Sequence, residues 1–234
     1  MNKNDFEKLC NECNSALAIF DEFNVFNVEN SFKIEKAKQT LTALIKLFFT
    51  EEESQKLTDW MEKNEFFTSP ASTKFHGNVK GGLLLHSLMV CKQSFLFAER
   101  IFLTFLDSPL AEKYSVSAKD IFIAALAHDF CKAGFYSTEF RKTKNFEGNW
   151  VYEPYFKVKN DKRNLGHGNE SVLLLISIFP EYIENRTVIE AVSRHMGFSD
   201  LSESESYNYS LFLENPLVVL LQLADEVSSQ WFNC

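Results

Sequence analysis

The chain has 234 residues, of which 45% are hydrophobic, and a formal net charge of −8 at pH 7. This length suits one generous domain, or a domain with an extension, and the negative charge argues against a general nucleic-acid coat or an anionic membrane surface as the main partner. No stretch approaches the roughly 20 uncharged apolar residues that span a bilayer, and the charged N-terminal segment and five scattered cysteines predict a cytoplasmic protein without a disulfide framework.

The first 65 or so residues predict helices. Apolar residues recur there at intervals of three and four, as one face of a helix requires. Ser31 is a candidate N-cap for a second helix, and Thr50 with Glu53 has the capping-box spacing that opens a third. This part of the chain therefore forms a helical extension.

The irregular run 67–73 predicts the boundary between an N-terminal extension over 1–67 and a main domain over 74–234. Helices dominate the main domain too, and the predicted ranges are 83–105, 118–130, 171–179, 187–196 and 217–228. Between residues 135 and 165, aromatic and apolar residues alternate with polar ones after the turn-like Glu147-Gly148-Asn149, which predicts an inserted β-hairpin. The expected fold class is all-α with a small hairpin.

Three of these apolar helices carry polar residues of the types that bind metals. His86 lies inside the first helix and Asp225 inside the last, while His128 and Asp129 emerge together at the end of the second. Burying such groups is costly unless they are paired or bound to a metal. One site on which the three helices converge would explain all of them, whereas structural accidents would need a separate partner for each.

The segments around these residues resemble the HD phosphohydrolase superfamily in order and spacing. A His-Asp pair alone is a weak signal, but five ordered segments between about His76 and Trp231 are a strong one. The segments are Gly81-Gly82-Leu83-Leu84-Leu85-His86-Ser87-Leu88, Ala127-His128-Asp129-Phe130-Cys131-Lys132, Gly166-His167-Gly168, Arg194-His195-Met196-Gly197 and Leu223-Ala224-Asp225. The resemblance implies an HD-domain helical bundle over 74–234 that binds metal and is catalytic.

The resemblance also implies a binuclear metal centre. The first ion would be held by His86, His128, Asp129 and Asp225. His167 and His195 occupy the positions that complete a second site, with Asp129 bridging the two ions. A mixture of imidazole and carboxylate ligands suits Mn, Fe, Zn, Ni or Co better than calcium. Such ions lower the pKa of bound water towards about 7 and neutralise charge on a phosphoryl oxygen.

Lys132 is predicted to act on the substrate together with Asp129. It follows Asp129 by three residues, in the position of the family's HD-x-x-K pattern. A cation there could hold a non-bridging phosphate oxygen, so the resemblance implies catalytic roles for Asp129 and Lys132. The alternative is a solvated lysine at a helix end, where the helix dipole favours it.

Residues 141–163 form a basic segment on an acidic protein. They contain seven basic and three acidic residues, a charge of +4, so the rest of the chain carries −12. We expect this hairpin to overhang the metal centre and to contact a substrate phosphate or a nucleic acid, unless it is only a solvated face. The predicted substrate-binding residues are His76, Lys157, Arg163 and Arg194. For His76 the alternative is an ordinary surface-loop histidine.

The activity expected first is hydrolysis of a phosphate ester in a nucleotide or another small phosphorylated substrate. A second hypothesis is phosphodiester cleavage, because the segment from His76 resembles the HD core of a bacterial 3′→5′ exoribonuclease group. The nucleic-acid module of that group has no counterpart in the first 65 residues. A third hypothesis is a di-iron oxygenase, which some HD-fold proteins are. A fourth is a non-catalytic module stabilised by metal, although degenerate members usually lose a ligand.

Overall fold

The computed structural model describes residues 1–159, 165–201 and 203–234. Its helices are α1 (Lys3–Phe23), α2 (Asn30–Phe48), α3 (Glu51–Lys63), α4 (Gly82–Leu106), α5 (Ala118–Ala127), α6 (His167–Ile178), α7 (Arg186–Ser193), α8 (Glu203–Ser206), α9 (Tyr209–Phe212) and α10 (Pro216–Trp231). Two strands, β1 (Tyr136–Lys144) and β2 (Trp150–Val158), lie between α5 and α6. The prediction of a mostly helical chain with a small hairpin is confirmed. Within the described ranges, no helix has the length and apolar character needed to cross a membrane.

Capping side chains set where several helices begin. The Thr50 side chain accepts a hydrogen bond from the backbone of Glu53, whose carboxylate accepts one from the Thr50 N–H at 2.7 Å, as predicted for α3. Ser31 was predicted to cap α2, but this helix begins one residue before it, at Asn30. The residue before the helix, Glu29, makes no capping hydrogen bond with its side chain. The predicted N-cap is therefore two residues too late, an error that is usual when a helix boundary is placed from local preferences.

The helices share one hydrophobic core centred on α4. Leu9 of α1, Leu41 of α2 and Leu57 of α3 belong to the same buried cluster as Leu84 of α4 and Phe122 of α5. Burial of these side chains holds the fold together. Residues 67–73, where a domain boundary was predicted, lie in the irregular segment between α3 and α4. Side chains from both sides of this segment belong to one buried cluster, and the division into an extension and a main domain stays a prediction.

The second apolar helix ends earlier than predicted. It was expected to continue to residue 130, but α5 stops at Ala127 and a short 3-10 turn follows over Phe130–Lys132. His128 is the C-cap, and Asp129 leaves the helical conformation with φ −113° and ψ 24°. This change of direction turns the Asp129 side chain away from the helix axis and towards the neighbouring helices.

The β-hairpin is antiparallel and has the predicted position. Its register runs from Tyr136 opposite Val158 to Lys144 opposite Trp150. In the turn, the Asn145 side chain accepts hydrogen bonds from the backbone N–H groups of two later residues, Glu147 and Asn149. The hairpin begins only a few residues after the 3-10 turn, so its base lies next to the end of α5.

Candidate metal centre

Four of the predicted ligands converge at the meeting point of α4, α5 and α10. Nε2 of His86 lies 3.1 Å from Nε2 of His128 and 3.1 Å from Oδ1 of Asp225. Oδ2 of Asp129 lies 3.3 Å from Nε2 of His128 and 3.6 Å from Nε2 of His86. The Nε2 of His128 is 4.0 Å from Oδ1 of Asp225. These helices come from distant parts of the sequence, so the cluster depends on the tertiary fold.

Backbone carbonyl groups orient the imidazole rings. Nδ1 of His86, His128 and His195 each lies within hydrogen-bond distance of a carbonyl oxygen. The acceptors are the carbonyl oxygens of Cys234 at 2.8 Å, Ala125 at 2.7 Å and Val192 at 2.7 Å, in that order. Because a carbonyl oxygen only accepts, each Nδ1 carries the proton and each Nε2 presents a lone pair. This arrangement is typical of histidines that bind metals through Nε2.

Several potential ligand atoms of the cluster lack a hydrogen-bond donor. In the neutral tautomers, Nε2 of His86 and Nε2 of His128 face each other as two acceptors, with no proton between them. Among the residues that the structure describes, the buried atoms Nε2 of His195 and Oδ1 of Asp129 also lack a hydrogen-bond partner, and they lie 3.7 Å apart. A buried polar atom without a partner costs about 1–3 kcal/mol. A cation at this position would satisfy all of these atoms.

The spacing of the donor atoms fits a metal ion. Bonds of about 2.0–2.2 Å to nitrogen and oxygen place neighbouring ligand atoms about 2.9–3.6 Å apart around one ion. Four of the six distances above fall in this range. The ligand atoms of His86, His128 and Asp225 all lie within 4.8 Å of one another. The described residues therefore contain a group that could hold a metal.

Both carboxyl groups of the cluster are anionic. Burial favours the protonated form of Asp129, but the Lys132 ammonium and the His128 ring hold the pKa of this carboxyl well below its usual range. Burial also opposes ionisation of Asp225, and the adjacent His86 ring lowers the pKa of Asp225 nevertheless. Carboxylates together with imidazoles form a donor set suited to a divalent transition metal.

The alternative to a metal ion is a proton on Nε2 of His128, between the His86 and His128 rings. Burial disfavours the imidazolium, but the Asp129 carboxylate raises the pKa of His128 above its ordinary value. That single proton would satisfy the pair formed with His86. It would leave Nε2 of His195 and Oδ1 of Asp129 without partners. The larger set of unsatisfied atoms favours a cation that reaches several ligands at once.

Lys132 is buried in the same place. Only 9% of the residue is exposed, and its Nζ lies 2.6 Å from Oδ2 of Asp129. Although burial disfavours the ammonium, Asp129 raises the pKa of Lys132, so the charge is kept. The alternative of a solvated lysine at a helix end is therefore wrong. The predicted contact with a phosphate stays a prediction.

The two histidines predicted to complete a second metal site lie in different environments. His195, just beyond the end of α7, is buried and 3.7 Å from Oδ1 of Asp129. His167 is the first residue of α6, is exposed, and lines the cavity in front of the cluster. In the described part of the chain, His167 belongs to no group of potential ligands within metal-binding distance. The group that could hold a metal thus consists of His86, His128 and Asp225. Asp129 and His195 lie next to this group, and His167 lies on the cavity wall.

An open cavity of about 790 Å³ lies in front of the cluster, and Asp129, Lys132 and Asp225 line it. His76 lines it too, with its ring centroid 4.8 Å from that of His86, so it lies beside the cleft as predicted. Burial lowers the pKa of His76 to about 4, and the ring is neutral at pH 7. Tyr136 also lines the cavity, and burial raises the pKa of its phenol to about 12.

Two glycines allow the close approaches that form this cavity. A Cβ on Gly82 would lie 1.9 Å from the carbonyl oxygen of Gly77, in the loop that holds His76 over α4. A Cβ on Gly168 would lie 2.1 Å from the carbonyl oxygen of Ser193, where α6 meets α7. Any side chain at either position would push the wall of the cavity away from the cluster.

The other predicted substrate residues lie farther from the cluster. The Arg194 guanidinium lies over the ring of Phe212, 4.7 Å from its centroid, and Arg194 does not line the cavity. The predicted contact of Arg194 with the substrate stays a prediction. Lys157 pairs with Glu139 at 3.2 Å and lines a neighbouring groove. Arg163 lies outside the described residues.

Sequence reasoning missed two groups at this site. The carbonyl of Cys234 orients His86 from the far end of the chain, and Tyr136 enters the cavity wall from the first position of β1. Nothing in a local pattern marks a backbone carbonyl as a hydrogen-bond acceptor for a distant ring. Tyr136 follows Lys132 closely, and this proximity to the HD-x-x-K pattern was the only available signal.

No protein-family model, curated protein or solved structure matches the chain.

Proposed function

We propose that this protein is a metal-dependent phosphohydrolase of the HD superfamily, hydrolysing a phosphate ester in a nucleotide or another small phosphorylated substrate. One observation carries the proposal. Imidazole lone pairs and anionic carboxylates converge at 3.1–3.6 Å on the floor of an open cavity that also contains a buried lysine. Converging acceptors of this kind fit a divalent cation, and the nearby ammonium fits an anionic substrate.

The proposed ligands divide into two sets. His86, His128, Asp129 and Asp225 would hold one ion. His195 and His167, together with the free oxygen of Asp129, are the candidates for a second. Manganese, iron, zinc, nickel and cobalt are all compatible with these donors. When bound, such ions supply Lewis acidity and a water molecule of lowered pKa.

The remaining side chains of the cavity would act on the substrate. The Lys132 ammonium is held in place by Asp129 and could donate a hydrogen bond to a phosphoryl oxygen as negative charge develops there. The protonated phenol of Tyr136 is a second potential donor. His76 is neutral and could orient the substrate or its leaving group. These polar groups are fixed before the substrate arrives, which favours catalysis over mere binding.

Phosphodiester cleavage at the same centre is the second candidate. The observation that favours it is the groove beside the cavity, which Lys74, Lys80, Arg141 and Lys157 line and which could accept a longer anionic chain. A di-iron oxygenase would use similar ligands, and oxygen consumption distinguishes it from a phosphohydrolase. A non-catalytic metal-stabilised module would have no need of the open cavity.

Metal analysis followed by a substrate screen tests the proposal. Protein purified without added metal is assayed by plasma mass spectrometry, then with p-nitrophenyl phosphate, bis-p-nitrophenyl phosphate, nucleotides, cyclic nucleotides and short RNA. We expect bound transition metal and a hydrolysis that EDTA abolishes and added metal restores. Oxygen consumption without release of phosphate or cleavage of a diester would identify the oxygenase instead. Protein that binds no metal at any site would refute the proposal.

A further inference from the structure

The β-hairpin exposes aromatic side chains on one face. In an antiparallel pair, residues directly opposite each other point to the same side, and every second residue shares that side. One side therefore contains what we call the aromatic face: Phe140, Lys142, Lys144, Trp150, Tyr152 and Phe156. Phe140, Trp150 and Tyr152 are 65%, 60% and 71% exposed. Contiguous exposed apolar surface of this kind usually marks a binding site.

The aromatic face also has cations without an ion-pair partner among the residues that the structure describes. The ammonium groups of Lys142 and Lys144 lie 5.3 and 5.2 Å from the centroid of the Trp150 ring. Neither lysine forms an ion pair with another residue in the described part of the chain. Aromatic rings that can stack on bases, interleaved with cations that can neutralise phosphates, are the features that proteins use to bind single-stranded nucleic acid.

The aromatic face continues towards the metal centre. A groove of about 1320 Å³ runs between the hairpin and the loop before α4, and it is lined by Phe156 from the aromatic face and by Lys74 and Lys80 from the loop. The groove and the cavity in front of the cluster share Tyr136 and Val158 at the base of the hairpin. Each strand has nine residues, so the hairpin is about 30 Å long and could accommodate several nucleotides.

We propose that the aromatic face binds a single-stranded nucleic acid and directs it through the groove to the metal centre. The binding step stands by itself, whereas the claim that this strand is the substrate rests on the proposed function. A polyanion complements the positively charged hairpin of this negatively charged protein. A second copy of the chain, joined through a two-fold axis, would bring two basic hairpins against each other, which like charges oppose.

Fluorescence anisotropy tests the binding step without requiring catalysis. The full chain is titrated into labelled oligouridylate and oligothymidylate of about 12 nucleotides, in EDTA, at about 50 mM and 200 mM salt. We expect binding that weakens with salt. Trp150→Ala should weaken it about tenfold by removing a stacking surface. Lys142→Glu with Lys144→Glu should weaken it at least as much and reduce the salt dependence. The affinities for oligouridylate and oligothymidylate show whether RNA or DNA is preferred.

A matched control changes the same amount of charge elsewhere. Lys3→Glu with Lys46→Glu alters exposed lysines on α1 and α2 and should leave the affinity within about twofold, because screening limits the reach of these charges. An equal loss in this control, or hairpin variants that bind as well as wild type, would overturn the proposal. The proposal would also be overturned if no oligonucleotide bound and sedimentation showed that the hairpin variants convert a dimer to monomers. Binding to anionic vesicles but not to oligonucleotides would overturn it as well.

The two proposals fail in distinguishable ways. If the wild-type protein hydrolyses bis-p-nitrophenyl phosphate with metal but binds no oligonucleotide in EDTA, the phosphohydrolase proposal stands and the hairpin proposal is wrong. If it binds oligonucleotide through the hairpin but hydrolyses no phosphate ester with any metal, the binding surface stands and the proposed function is wrong.

Discussion

At the scale of single residues, backbone carbonyls decide which nitrogen of each histidine faces the cluster. The bonds from Nδ1 of His86, His128 and His195 to these carbonyls leave Nε2 as the potential ligand in every case. The carboxylates supply the negative charge that imidazoles lack. Replacing an aspartate of the cluster by asparagine, which keeps the shape and removes the charge, therefore separates the two effects on metal binding.

Asp225→Asn should weaken metal binding while leaving the fold intact. The amide has nearly the same shape as the carboxylate but no negative charge, so its affinity for a divalent cation is much lower. We expect at least a tenfold loss of metal affinity, measured by calorimetric titration of the metal-free protein, with an unchanged circular dichroism spectrum. Asp21→Asn, an exposed position on α1, is the control and should bind metal normally. Normal metal content in the Asp225 variant would remove this residue from the site.

Lys132→Met should affect the metal-free and metal-loaded proteins differently. Without metal, the variant leaves the buried Asp129 carboxylate without its ammonium partner, and losing one partner of a buried pair costs about 3–5 kcal/mol. With metal, the ion compensates that charge. We expect a lowered melting temperature that metal restores, together with a loss of about 10²–10³ in kcat.

The control for this pair of measurements is Lys46→Met, an exposed lysine on α2. It should leave the metal-free melting temperature unchanged. Wild-type turnover in the Lys132 variant would rule out a catalytic role for the lysine, and an unchanged metal-free stability would show that its pair with Asp129 contributes little.

At the scale of secondary-structure elements, the contact between α6 and α7 determines how His167 and His195 face the cavity. Gly168→Ala places a methyl group where the Ser193 carbonyl oxygen lies 2.1 Å away, so the two helices must separate. Alanine normally stabilises a helix relative to glycine by about 1 kcal/mol, and here we expect destabilisation and reduced activity instead. Leu173→Ala, at an exposed position of α6, is the control. Thermal unfolding and turnover of both variants measure the effect.

Local patterns predicted the elements better than their ends. Thr50 and Glu53 made the start of α3 predictable because a capping box needs only four consecutive residues. The end of α5 at Ala127 was not predictable, since the apolar run continues through Phe130 and only packing against other elements stops the helix. His86 and Asp225 were recognisable as polar residues in apolar helices. The burial of Lys132 depends on side chains far away in sequence, and no local pattern reports it.

At the scale of the whole molecule, metal binding should be linked to the stability of the fold. A ligand that binds only the native state stabilises it by about 2.7 kcal/mol at a free concentration one hundred times its dissociation constant. We therefore expect EDTA to lower the melting temperature and added Mn²⁺, Zn²⁺ or Co²⁺ to raise it in a concentration-dependent way, as measured by differential scanning calorimetry. The Asp225→Asn variant should need at least tenfold more metal for the same increase in melting temperature. A melting temperature unaffected by chelation in protein known to contain metal would place the ion outside the folded core.

The position of the cluster in the sequence has a consequence for the order of folding. His86 and His128 are 42 residues apart, and Asp225 follows nearly a hundred residues after His128, on a helix that packs directly against α4. Closing loops of this size costs entropy before any contact between their ends is gained, so these groups meet late, after the local helices have formed. The transition state for folding then lacks the complete cluster. A bound ion should slow unfolding and leave the refolding rate nearly unchanged, which stopped-flow measurements with and without metal would resolve.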